Sequence, residues 1–207
     1  MGIRNNNIEL EYQCLFIPAT AFTGVGFISG SEELKAAGTG NAPLKEAGTT
    51  GLLGLEFSSG DRVQTLLSQP TSIDVDSDIF VRCFWHSTSS TNGSNTFTPV
   101  VSYSQIGDFS AIPTDAASKT ALNTAIPADT ANTGSTFYAT SAGTINAGSL
   151  EEADGQYDAL VLQLEATLAG TLADFRFLGL ELWFMPKLTP GAQKSKVALP
   201  AKVVVAS

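Results

Sequence analysis

The chain has 207 residues, of which 43% are hydrophobic and only 15% charged, and its formal net charge is −9 at pH 7. This length suits one sizeable domain whose core needs no disulfide or metal for stability. The negative charge excludes a body that holds DNA or RNA through the phosphates. A surface poor in charged residues is typical of a protein that is largely covered by partners.

The charge is unevenly distributed along the chain. All 20 acidic residues lie at or before Glu181. The charged residues after it are Lys187, Lys194, Lys196 and Lys202. We therefore predict a single domain over residues 1–188 and an extended C-terminal arm over residues 189–207. No apolar run approaches the ~20 residues of a membrane-spanning helix, and the first residues do not have the pattern of a signal peptide.

Four blocks of strand signal occupy the first half of the chain. They cover residues 8–17, 50–57, 71–86 and 96–106. In the first and third blocks apolar and polar residues alternate with the period of a β-strand. Pro18 closes the first block, and Pro99 in the fourth indicates a sheet edge or a bulge, because proline cannot donate a ladder hydrogen bond.

Weaker signals follow in the second half. Residues 115–124 are compatible with one or two helical turns capped by Asp115, and residues 135–140 and 144–147 are predicted to be weak strands. Residues 157–168 form a clear strand pattern. Residues 174–188 are apolar at nearly every position, which is typical of a strand that lies between two layers or at an interface.

About eight strands joined by turn-rich loops predict an all-β protein. This pattern predicts a jelly-roll-like β-sandwich with extended N- and C-terminal arms. Sequence spacing does not reveal the order of the strands.

The sequence offers little to a catalytic mechanism. His86 is the only histidine, and Cys83 lies three residues before it, which on a strand places the two side chains on opposite faces. No zinc-binding spacing is present. Asp74, Asp76 and Asp78 resemble the first half of a calcium loop, but Ile79 follows where glycine is required. We favour solvated acids on an outer strand face over a weak calcium site, and we predict no enzyme activity, no cofactor and no metal.

Four further side chains have two interpretations each. Cys14 and Cys83 both lie in apolar strand patterns, and two buried, reduced thiols in a protein made in a cytosol are favoured over a disulfide. Trp85 and Trp183 lie in apolar strands, and burial in the core is favoured over a role as sugar-stacking platforms.

Three segments resemble parts of small structural proteins of tailed bacteriophages. They are residues 71–87 (TSIDVDSDIFVRCFWHS), residues 142–164 (AGTINAGSLEEADGQYDALVLQL) and residues 178–188 (LGLELWFMPKL). The resemblance implies a virion protein, made in the host cytoplasm, that acts as a cement or decoration protein on the head. It would bind the major capsid protein and copies of itself, as a homotrimer or homodimer. The alternative is a tail-fibre or receptor-binding module of lectin type.

The predicted partner-binding residues lie mainly in the C-terminal arm. Val203, Val204 and Val205 are suited to adding a strand to the edge of a partner. Lys194, Lys196 and Lys202 would contact an acidic neighbour, such as the body of another copy, because three or four charges bind nucleic acid only weakly. Trp183, in the strand that is apolar on both faces, completes the predicted contact set.

Overall fold

The computed structural model describes residues 11–28, 31–33, 44–47, 51–69, 73–89, 94–107, 119–131, 136–152, 159–187, 203 and 205. Within these residues the chain forms strands and one short 3₁₀ turn, Ala19–Ala21. The strands are β1 (Gln13–Pro18), β2 (Thr23–Ile28), β3 (Ser31–Glu33), β4 (Leu44–Glu46), β5 (Leu53–Leu55), β6 (Arg62–Ser68), β7 (Ile79–Ser87), β8 (Thr96–Ile106), β9 (Thr120–Ala121), β10 (Asp129–Thr130), β11 (Thr136–Ala139), β12 (Gly143–Ile145), β13 (Ala159–Ala169) and β14 (Arg176–Phe184). The described part of the chain includes no helix suited to crossing a membrane.

The strands form two antiparallel sheets. Sheet A has the order β11-β7-β14-β5-β4, with β12 also paired to β7 and β1 also paired to β14. Sheet B has the order β10-β8-β13-β6-β2-β3, with β9 also paired to β8. The strands from β5 to β14 fill eight positions when β9 and β10 are counted as one strand and β11 and β12 as another. Numbered in chain order, these positions lie side by side as 1-8-3-6 in sheet A and 2-7-4-5 in sheet B, starting from β5 and β6. This is the connectivity of a jelly roll, and the predicted jelly-roll-like β-sandwich is confirmed.

The core lies between the two sheets and is built by strand alternation. Its fully buried members include Val81, Cys83 and Trp85 of β7, Leu180 of β14, and Leu162 and Leu164 of β13. Because alternate residues of a strand point to opposite faces, the remaining residues of β7 and β14 form the outer face of sheet A. Leu178 and Trp183 on that face are also buried, so β14 is apolar on both faces as predicted.

A β-bulge in β14 allows this packing. Phe177 and Leu180 are both buried in the core, although a regular strand would place residues three apart on opposite faces. The register of β14 against β7 shifts between Phe177 and Gly179, which restores the inward orientation of the later residues. A sequence pattern with strict period two cannot reveal such a shift.

One sequence prediction is corrected beside β8 of sheet B, and another is explained there. The helix predicted over residues 115–124 is wrong where the structure describes it, since Thr120 and Ala121 pair with β8 as strand β9; residues 115–118 lie outside the described residues. Pairing with β8 and burial of Leu122 outweigh a weak local helix preference. Pro99 lies between the stretches of β8 that pair with β10 and with β9, where its missing N–H breaks no ladder on that side.

Asp129 is a half-buried carboxyl group at the core margin, and its pKa is shifted. Burial raises the pKa above its ordinary value, while hydrogen bonds from the Trp85 indole and the Thr130 N–H act in the opposite direction. A folded-state pKa above the unfolded value means that the folded state binds the proton more tightly. The contribution of Asp129 to stability is therefore present at low pH and is lost as the pH rises through the folded pKa.

We predict that Asp129→Asn raises the free energy of unfolding at pH 7 and reduces its decline between pH 4 and pH 7. The amide keeps an oxygen acceptor for Trp85 but carries no charge to desolvate. Urea unfolding at both pH values measures the effect, and the exposed Asp76→Asn provides the same change in net charge as a control. A variant that is less stable than the wild type at pH 7 would contradict the prediction.

Candidate interaction surface

Three phenylalanines form an aromatic strip across the outer face of sheet A: Phe16 of β1, Phe84 of β7 and Phe137 of β11. The rings of Phe84 and Phe137 are stacked with centroids 5.1 Å apart, and Phe16 meets Phe84 edge-on at 5.9 Å. Phe84 is buried, whereas Phe16 is 49% and Phe137 55% exposed. The strip therefore presents two half-exposed aromatic rings on either side of a covered one.

Gly179 makes the strip continuous. It lies on β14, directly opposite Phe84 of β7, and between that strand and β1. A Cβ atom at this position would lie 2.6 Å from Cζ of Phe16 and 2.7 Å from the carbonyl oxygen of Ile17, and the φ angle of +155° also favours glycine. The missing side chain lets the Phe16 ring cover β14 and reach Phe84. Aromatic cover of a glycine on a neighbouring strand is a known way to pin a sheet.

A buried polar network lies beside the strip on the same face. Nε of Arg82 donates to Oε2 of Glu181 at 2.7 Å, and Nε1 of Trp183 donates to the same oxygen at 2.8 Å. The Arg82 guanidinium also lies 4.9 Å from the centre of the Phe84 ring. The side chains of Arg82 and Glu181 are only 7% and 13% exposed. Phe84 is thus held from one side by a cation whose own orientation is fixed.

The end of the chain packs beside this network. Val203 is buried against Ala142 and Trp183, with Tyr12 and Phe80 around them, and Val205 forms an isolated parallel bridge with Ala142. The structure thus brings together Trp183, Val203 and Val205 of the predicted contact set. At these residues the arm packs onto the body of its own chain. Lys194, Lys196, Lys202 and Val204 lie outside the described residues.

An acidic turn adjoins this docking site. Asp74 is buried and accepts hydrogen bonds from the Ser77 hydroxyl at 2.7 Å and the Asp76 N–H at 3.3 Å, while Asp78 accepts from the Ala147 N–H. These acids therefore lie in a turn and not along a strand face, and the predicted row of solvated acids is wrong for Asp74, whereas Asp76 and Asp78 are exposed. Burial, together with the charges of Asp78 and Asp74, raises the pKa of Tyr12. Among the described residues no group of three or more His, Cys, Asp or Glu side chains is arranged to hold a metal ion.

The two thiols and the histidine occupy different environments. Neither Cys14 nor Cys83 is in a disulfide, and only Cys83 is buried, so the prediction of two buried thiols is wrong for Cys14. Leu15 and Ile17 of β1 pack on the core, which turns Cys14 outward. Burial raises the pKa of the Cys83 thiol. His86 is buried on the outer side of β7, and within the described part of the chain neither of its ring nitrogens has a hydrogen-bond partner.

Comparison with known proteins finds solved structures of low similarity only. No family model matches the chain, and no curated protein matches it. Among solved structures, the CBM22-1 and GH10 modules of Clostridium thermocellum endo-1,4-beta-D-xylanase 10B, complexed with xylohexaose, align with a TM-score of 0.42 and 12% identity over 91% of this chain and 30% of that chain. A carbohydrate-binding module specific for non-crystalline cellulose, CBM28, aligns with a TM-score of 0.34 and 11% identity, over 73% of this chain and 84% of that chain.

Proposed function

We propose that this chain is a non-enzymatic structural protein of a virion, a cement or decoration protein that binds the major capsid protein through the aromatic strip. The observation that carries the proposal is the exposure of Phe16 and Phe137 on a rigid sheet face. Aromatic side chains and arginine are enriched at the centres of protein interfaces. In this proposal the protein is made in the host cytoplasm and becomes part of the virion.

The rigidity of the strip supports a role in binding. Phe84 is packed between the two exposed rings and the Arg82 guanidinium, and Arg82 is itself fixed by Glu181. Side chains that are already ordered lose little conformational entropy when a partner covers them. A preformed aromatic strip across an exposed sheet face suits the broad surface of a capsid subunit better than it suits a small ligand, which prefers a concave pocket.

The placement of reactive side chains supports a non-enzymatic protein. Cys83 lies in the core and His86 on the outer side of the same strand, so the two do not form a nucleophile–base pair. Glu152 pairs with Lys187, and the backbone of Glu151 is held by the amide side chains of Gln69 and Gln105. Both acids, which lie in the loop before β13, therefore make structural contacts.

The alternative of a lectin-like receptor-binding module gains no support from the tryptophans. Trp85 is fully buried in the core, and Trp183 is covered by Val203 and Tyr12. Neither ring presents a face on which a sugar would stack. The core interpretation is confirmed for Trp85, whereas Trp183 is buried on the outer face of sheet A under Val203.

We predict that Phe16→Ser combined with Phe137→Ser weakens binding to heads by about 100-fold or more, because each exposed aromatic anchor is worth about 1.4 kcal/mol or more. The measurement is co-sedimentation with heads assembled from the major capsid protein of the same genome. Both positions are half-exposed, so circular dichroism should show that the fold persists.

The matched control is Leu66→Ser on the outer face of sheet B, where Leu66 is 65% exposed. It removes a comparable exposed apolar side chain from the opposite side of the sandwich and is expected to leave head binding unchanged. Equal binding by the double variant and the wild type would overturn the proposal, as would the absence of the protein from purified particles. Specific glycan binding that is lost in the double variant would favour the lectin-like alternative instead.

A further inference from the structure

We propose that the C-terminal segment is exchanged between copies, so that Val203 and Val205 of one copy dock at Ala142 and Trp183 of a neighbouring copy. The proposal goes beyond the capsid role, because it concerns contacts between identical chains and needs no other partner. The site itself is visible in the single chain, where Val203 is buried between Ala142 and Trp183 and Val205 bridges to Ala142.

The docking site lies at the margin of sheet A. Ala142 lies between β11 and β12, the two strands that pair with one side of β7. Val205 joins Ala142 through a parallel bridge, in a sheet whose other pairs are antiparallel. A segment added in this way makes the same contacts whichever copy supplies it, which is the condition for exchange between protomers.

The length of chain before Val203 exceeds what docking within one chain requires. Lys187 is held by an ion pair with Glu152 and lies four residues after Trp183, which limits its distance from Trp183 to about 14 Å. Fifteen residues then separate Lys187 from Val203, and such a segment spans roughly 50 Å when extended. A domain of this size is roughly 40 Å across. The segment is therefore long enough to reach the equivalent site on an adjacent copy.

Charge complementarity favours a neighbouring body as the acceptor. Up to Glu181 the chain carries 20 acidic and seven basic residues, a net charge of −13, and the four remaining basic residues are lysines after Glu181. Two bodies of this charge repel each other when they approach. A lysine-bearing segment that crosses from one copy to the next offsets this repulsion at the contact. Lys202 directly precedes Val203, and the acidic turn with Asp74 and Asp78 lies beside Tyr12 at the docking site.

Cross-linking between two single-cysteine variants tests the exchange. Ala142→Cys and Val205→Cys are placed in separate chains, each with Cys14→Ser to remove the exposed native thiol. The two proteins are unfolded together, refolded as a mixture and oxidised with glutathione disulfide. We expect the yield of disulfide-linked heterodimer to be at least tenfold higher than in a control mixture of Val205→Cys with Leu66→Cys. In the control the second thiol lies on the opposite sheet. A covalent link across a bridged pair fits disulfide geometry.

The same two substitutions in one chain give the decisive comparison. Exchange predicts covalent dimers or larger species from this double variant, whereas an internally linked monomer, together with no heterodimer in the mixture, would overturn the proposal. No cross-link in either sample would also overturn it.

A second measurement does not depend on a cysteine at buried Ala142. Removing residues 203–207 is expected to shift the protein toward monomer in native mass spectrometry, while removing only Ala206 and Ser207 is not. An unchanged oligomer after the longer deletion counts against exchange. Because both experiments use the purified protein alone, their failure would leave the capsid proposal to its own test.

Discussion

Replacing Trp85 by alanine is expected to lower the free energy of unfolding by about 3–5 kcal/mol, a large share of the ~5–15 kcal/mol typical of a domain. Trp85 is fully buried and stacks on Tyr138 with centroids 4.2 Å apart. It also lies 5.7 Å from both Phe97 of sheet B and Phe175 of the segment before β14. The substitution removes the ring at which these elements meet and leaves a cavity that rigid strands cannot close.

Urea unfolding followed by far-ultraviolet circular dichroism measures the loss, since the change of this signal on unfolding comes mainly from the backbone. Phe137→Ala is the matched control. Phe137 directly precedes Tyr138 in β11 but points to the exposed face, where only its stacking on Phe84 is lost. We expect this variant to lower the free energy of unfolding by about 1 kcal/mol. Equal costs for the two variants would mean that Trp85 does not organise the core.

Trp85→Phe separates packing from hydrogen bonding at the same position. It keeps an aromatic ring but removes the indole N–H that donates to Oδ2 of Asp129 at 2.8 Å. The half-buried Asp129 carboxyl then loses the hydrogen bond from the indole, but the core keeps a ring at this position, so we expect a smaller loss of stability than for alanine.

The strongest strands could be predicted from the sequence because burial and alternation coincide in them. The fourth block of strand signal, residues 96–106, has the same bounds as β8, and β7 and β13 lie within the predicted blocks apart from one residue at a C-terminal end. β6 was not predicted, although Val63 and Thr65 alternate with Arg62 and Gln64. Its period is visible in the sequence, but the run is short and only moderately apolar.

The candidate surface could not be predicted, since its members meet only through strand order. Phe16 and Phe137 lie 121 residues apart in the sequence, and they share a face because β1, β14, β7 and β11 are neighbours in sheet A. The Gly179 bulge adds a change of register to which no residue spacing corresponds. The predicted contact set contained Trp183 and Val203 because both are apolar residues near the end of the chain, and the two do meet. It missed the strip, whose phenylalanines have the same local patterns as core residues.

Glu181→Ala is expected to lower the free energy of unfolding by about 3–5 kcal/mol, although the pair that it breaks is worth far less in isolation. Glu181 accepts hydrogen bonds from Arg82 and Trp183 at one oxygen. Without this carboxylate the guanidinium loses the 2.7 Å ion pair with Glu181 at a site where its side chain is only 7% exposed. Most of the expected cost is the desolvation of the Arg82 guanidinium. Water does not reach this group in the folded protein, and in the variant the Glu181 carboxylate no longer offsets the lost hydration.

The double variant Arg82→Met, Glu181→Met tests this origin of the cost. Removing both charges leaves apolar side chains of similar volume beside Phe84 and Trp183, and we expect a stability within about 1 kcal/mol of the wild type. Urea unfolding of both single variants and the double variant closes the cycle. If the double variant were as unstable as Glu181→Ala alone, the loss would arise from the hydrogen bonds themselves and not from a buried cation that has lost this ion pair. If it is stable, as we expect, the network exists to fix the position of the Arg82 guanidinium against Phe84. The double variant should then fold normally yet bind heads more weakly than the wild type, because the strip keeps its rings but loses the group that holds them in place.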